Sequence, residues 1–94
     1  MAVTVKIPTL LRAQVDGRPT IEGTGRTLGD VIDDIETRYP GIKGSLVTDD
    51  GGLHRFVNVY LNDEDVRVLA GLETPVSEAD ILVILPAMAG GSPS

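Results

Sequence analysis

One stripe of apolar side chains limits what this chain can fold into. Leu28, Val31, Ile32, Ile35 and Tyr39 fall at i, i+3, i+4, i+7 and i+11, the spacing of one helical face. No other segment carries that period over comparable length. Thr27 suits the N-cap, Asp30 places negative charge in the first turn, and Pro40-Gly41 stops the helix. Asp30, Asp33, Asp34 and Glu36 lie off the stripe and read as its solvated side. A lone amphipathic helix must bury its stripe against something, and the flanking segments offer only strands. The spacing therefore predicts one helix lying on one face of a sheet.

The strand signals are short and separate. Val3, Val5 and Ile7 alternate with Ala2, Thr4 and Lys6, the period of a half-buried strand. Asp16-Gly17 marks a turn, Arg18 to Glu22 returns as a hairpin partner, and Gly23-Thr24-Gly25 breaks that strand. The stretch 41–52 reads as loop, with Leu46 and Val47 a packed patch inside it. Phe56 to Leu61 is the next strand, Asn62-Asp63 turns the chain, and Val66 to Leu69 reads as a short further strand. Ile81 to Leu85 is apolar on both faces, as befits a strand in the middle of a sheet.

The order β-β-α-β-(β)-β places the chain in the α+β class, with a mixed sheet of four to five strands and one main helix on one face. The opposite face has no helix to cover it. Phe56, Tyr60 and Leu85 fall on that side. Either they form a partner-binding patch, or the loop 41–55 folds across and shields them.

Composition excludes several classes of function. Ninety-four residues make one small domain. Eight basic against 14 acidic side chains, a net charge of −6, argue against nucleic acid and against an anionic membrane surface. The start lacks a basic region followed by a long apolar run, and nothing approaches the ~18 apolar residues of a membrane span, so a cytoplasmic protein is expected. No cysteine means no disulfide, thiol catalysis or thiolate-bound zinc.

Candidate chemical groups fare no better. The single histidine, His54, stands beside Arg55 without a nucleophile or oxyanion arrangement and reads as a surface or interface residue. Asp63-Glu64-Asp65 are consecutive acids that point apart in a turn, whereas a hard cation needs converging oxygens. Gly23-Thr24-Gly25-Arg26 lacks the Lys-Ser/Thr ending of a phosphate loop, and Asp33-Asp34 is a helix face. The chain is expected to bind no metal or cofactor and to be no enzyme by itself.

After Leu85 the chain runs Pro86-Ala87-Met88-Ala89-Gly90-Gly91-Ser92-Pro93-Ser94. On composition alone this is a frayed terminus. Three blocks give it more meaning: Thr4-Val5-Lys6-Ile7-Pro8-Thr9-Leu10-Leu11-Arg12, the run from Leu53-His54-Arg55-Phe56 through Leu61-Asn62-Asp63-Glu64-Asp65-Val66-Arg67, and Ile84-Leu85-Pro86-Ala87 with Gly90-Gly91. Together they span nearly the whole chain. They resemble the ubiquitin-like sulfur carriers of the MoaD and ThiS type, most closely the CysO-type carriers of cysteine biosynthesis.

The resemblance implies a β-grasp domain over 1–86 and a flexible tail over 87–94. It further implies that Gly91 is the working residue. An E1-like enzyme of the MoeB or ThiF type would use ATP to adenylate its carboxylate, and sulfur would then be held as a thiocarboxylate. Ala89, Gly90 and Gly91 would thread the enzyme's channel, where glycine's missing Cβ is an advantage. Here Ser92-Pro93-Ser94 follow Gly91, so its carboxyl is in a peptide bond. Some related carriers with such extensions are trimmed by a JAMM-type zinc metalloprotease; the resemblance implies cleavage between Gly91 and Ser92, with this form a precursor that is inactive until trimmed. The acceptor would be a PLP-dependent cysteine synthase or another thio-metabolite synthase. Two alternatives stay open: a non-covalent β-grasp interaction module, and a ubiquitin-like modifier conjugated through Gly91.

Overall fold

In the computed structural model, which describes residues 2–86, the alternating N-terminal segment forms β1 (Val3–Lys6), with Val3 and Val5 buried. It pairs antiparallel with β2 (Thr20–Gly23), Val3 opposite Gly23 and Lys6 opposite Thr20. Between them the chain does more than turn. Thr9–Val15 winds as a 3-10 helix that buries Leu11 and Val15, and closes through Asp16 and Gly17, both at positive φ.

Helix α1 (Leu28–Arg38) buries Leu28, Val31, Ile32 and Ile35, with Tyr39 packed against the same core. Its start is capped as its sequence predicts: the Asp30 N–H donates to Thr27 Oγ1 at 3.2 Å. The segment read as loop after Gly41 contains a second helix, α2 (Ile42–Leu46), whose Ile42 and Leu46 are fully buried. Leu46 is packed as expected, but by a helix on the α1 side of the sheet.

Strands β3 (Val57–Leu61), β4 (Glu64–Asp65) and β5 (Ile81–Pro86) complete a five-stranded sheet in the order β2-β1-β5-β3-β4. The β1–β5 pair is parallel and the others antiparallel. This is the β-grasp arrangement. The fourth strand is not Val66 to Leu69. Asn62 and Asp63 both take positive φ, as in a two-residue hairpin turn, and this sets Glu64 opposite Leu61. Val66 instead turns into the core, fully buried, its N–H donating to Val59 O at 3.0 Å.

Val3, Val5, Ile21, Val57, Val59, Leu82 and Ile84 supply the sheet's half of the core. β5 is central, but its second face is open: Ile81 and Leu85 are 41% and 44% exposed while Leu82 and Ile84 are buried. Phe56 is 59% exposed, so the segment 41–55, whose Ser45 and His54 line a groove with it, does not shield it.

Candidate functional site

The parallel β1–β5 pairing and the antiparallel β3–β5 pairing bring three chain segments to one end of the sheet. There β5 finishes at Pro86, opposite Val57, and the described residues end. Around this point lies an apolar groove of about 260 Å³. Pro8, Leu10 and Leu11 from the start of the 3-10 helix form one wall, Phe56 another, and Leu85 with Pro86 the end of β5. Leu10 and Phe56 are two of the most exposed large apolar side chains among the described residues, at 67% and 59%. Apolar surface of this kind is what a partner's apolar side chains would cover.

Of the surface residues named from the sequence, Phe56 and Leu85 meet in this groove. Tyr60 does not line it. It is half-buried further along the open face, opposite Val83. Ala89, Gly90, Gly91 and Ser92 lie outside the described residues.

Phe56 is held by a small, well-bonded turn. The Val57 N–H donates to His54 O at 3.1 Å, closing His54-Arg55-Phe56-Val57 on itself. One side of the turn is tied to α2: the His54 N–H donates to Leu46 O at 3.0 Å, and its ring Nε2 lies 3.1 Å from Gly44 O. The other side is tied by Arg67, whose Nη2 donates to His54 O and Val57 O, both at 2.7 Å, while Nη1 donates to Asn58 Oδ1 at 2.7 Å. His54 is thus part of a structural link. The sequence reading missed Arg67, because its acceptors lie 9 to 13 residues away and no local pattern marks them.

The acidic groups are engaged elsewhere. Asp33 pairs with Lys43 at 2.6 Å and Asp34 with Arg38 at 3.0 Å. The Arg38 hydrogen bond, with a further one from the Thr24 N–H, holds the Asp34 carboxyl below the usual carboxylate range. Thr24 is thereby a fixed connection between β2 and α1. Asp65 Oδ1 accepts from the Arg67 N–H at 2.8 Å, so part of the acidic turn is occupied by its own backbone. Among the described residues no three His, Asp or Glu side chains converge to hold a metal ion. No helix among them is long and apolar enough to cross a membrane. This end of the molecule carries the end of β5 at Pro86 with an apolar surface around it.

Comparison with known proteins decides the family. The ThiS family profile matches residues 5–91. The chain belongs to the ThiS family of ubiquitin-like sulfur carriers. It is 50% identical over 93 residues to the sulfur carrier protein CysO of Mycobacterium tuberculosis, covering 97% of this chain and 100% of that one. The fold superposes on CysO from the Amycolatopsis orientalis BexX/CysO complex with a TM-score of 0.89, at 54% identity, over 96% of this chain and 100% of the other. A small archaeal modifier protein 3 from Haloferax volcanii is 37% identical over 65 residues, 69% of this chain and 70% of that one. The family match runs through Gly90-Gly91 and leaves only Ser92-Pro93-Ser94 after it.

Proposed function

We propose that this chain carries sulfur as a thiocarboxylate on the carboxyl carbon of Gly91. The observation that supports it most is a coincidence of two boundaries. The family match stops at Gly91, five residues after β5 ends at Pro86 beside an apolar groove. A free carboxylate is a poor acyl donor, so activation comes first. An E1-like enzyme of the MoeB or ThiF type transfers AMP from ATP to the Gly91 carboxylate and releases pyrophosphate. A sulfur donor then displaces AMP and leaves the thiocarboxylate. ATP belongs to the partner; this chain is its protein substrate, as sulfur carriers are substrates of partner enzymes and not enzymes themselves.

Chain length says where that enzyme must sit. Gly91 is five residues beyond Pro86, and a fully extended run of that length spans about 17 Å. Any active site acting on Gly91 lies within that radius of Pro86, which brings Leu10, Phe56 and Leu85 within reach of the enzyme's surface. Because Gly91 is followed by Ser92 in this sequence, its carboxylate is first freed by hydrolysis of the Gly91–Ser92 bond. A JAMM-type zinc metalloprotease suits that step. The sulfur acceptor is a PLP-dependent cysteine synthase or another thio-metabolite synthase.

The test is intact-mass analysis after incubation with the host's E1-like enzyme, ATP and sulfide. The form ending at Gly91 gains the oxygen-to-sulfur mass shift, while the full chain and a Gly91→Ala form do not. Thiolation of the full chain at an internal position would sink this reading. The likeness to an archaeal modifier protein supports one other outcome: isopeptide-linked products on protein lysines, which would make the chain a modifier.

A further inference from the structure

We infer that Arg67 is a positioning residue for partner engagement, acting through Phe56. Arg67 is itself exposed, yet its guanidinium fork meets three acceptors at 2.7 Å. Two of them are the first and last carbonyls of the turn that carries Phe56 at its tip. The third belongs to Asn58, one residue into the strand. Val57, whose carbonyl Arg67 binds, is the residue paired with Pro86. One side chain therefore ties the backbone on both sides of Phe56 to the residue paired with Pro86.

The energetic logic separates this role from simple stability. His54 O and Asn58 Oδ1 are exposed, so water can replace Arg67 there; only Val57 O is part-buried, and the loss to the folded state is modest. A partner that must bury Phe56 while drawing Gly91 into its channel would instead meet a turn spread over several conformations. It would have to order that turn on binding, which weakens association and leaves the chemistry at Gly91 untouched. Lysine cannot substitute, because a point charge on a flexible stem does not bridge three acceptors in one plane.

This inference rests on the proposed activation of Gly91, and the experiment keeps the two apart. Carriers ending at Gly91, which retain every residue of the described fold, are assayed with the host's E1-like enzyme by ATP–pyrophosphate exchange. Arg67→Ala and Arg67→Lys are expected to raise KM for the carrier about 3- to 10-fold with kcat unchanged. In a Phe56→Ala background the same changes are expected to add nothing further, because both act on one contact. In the full chain, the Val57 amide is expected to exchange faster with solvent in Arg67→Ala while the thermal midpoint stays close to that of the parent. Unchanged KM in both Arg67 variants overturns the inference. So does an equal rise with and without Phe56, or a fall in kcat alone. Activation of a Gly91→Ala carrier would instead overturn the assignment of Gly91, whatever Arg67 does. Should Arg67→Ala fail to fold, Arg67→Lys carries the test.

Discussion

Gly23 shows how a residue read correctly at one level can carry a second role. From the sequence it marks the end of a strand, and β2 does end there. It lies opposite Val3, with α1 pressed against it. A Cβ there would sit 2.8 Å from Val31 Cγ1 and 2.9 Å from Ile35 Cγ2. Both neighbours are β-branched side chains on a helix, where χ1 has little freedom, so neither can swing aside. Gly23→Ala is expected to destabilise the fold by about 1–3 kcal/mol, the range for overpacking a tight core, as measured by urea denaturation. A change near zero would mean that α1 can lift off the sheet. Arg67 is the opposite case: it reads as an ordinary surface cation, because the carbonyls it binds come together only when the 54–57 turn has formed.

At the scale of elements, what could be read from the sequence was what repeats locally. The α1 stripe and the alternation in β1 contain enough residues to define a period, and Thr27 and Asp30 mark the start of α1 within one turn of chain. Short elements do not. α2 has a single i, i+4 apolar pair, Ile42 and Leu46, with Gly44 between them, and its first N–H groups are satisfied from outside: the Glu36 carboxylate accepts from the Gly41 and Lys43 N–H groups. Only the end of α1 makes α2 possible. The start of β5 depends on another remote partner. Asn62 Oδ1 accepts from the Ile81 N–H at 3.1 Å, while Asn62 Nδ2 donates to Asp80 Oδ1 at 3.0 Å. That bond, with one from the Ser77 N–H, holds the Asp80 carboxyl below its ordinary range. A carboxylate with a lowered folded pKa stabilises above its unfolded pKa of about 3.9, and that stabilisation is lost as pH falls through the folded value. Asp80→Asn is therefore expected to lower stability at pH 7, with the difference from the parent shrinking as the pH is brought below about 4. A pH-independent difference in denaturation midpoint would show that the clamp does not need the charge.

For the whole molecule, the proposed role of Gly91 makes the spacing between the end of β5 and Gly91 the quantity to test. The family could be read from the sequence, since three sequence blocks carry it. The groove could not, because Leu10 and Phe56 are 46 positions apart and meet only through the parallel pairing of β1 with β5 and the antiparallel pairing of β5 with β3. If the surface and the tail work together, the length between them matters more than the identity of the residues that span it. Deleting Ala87 and Met88 shortens the reach of Gly91 by about 7 Å while touching nothing in the described fold. The denaturation midpoint is expected to stay unchanged, and kcat/KM for activation to fall about 100-fold or more, as misplaced reacting groups do. Inserting two flexible residues after Pro86 adds reach and leaves Gly91 accessible, so only a small loss is expected. Equal losses from deletion and insertion would mean that the enzyme recognises the tail sequence itself. Normal activation of the deleted form would mean that it binds Gly91 without resting on the groove.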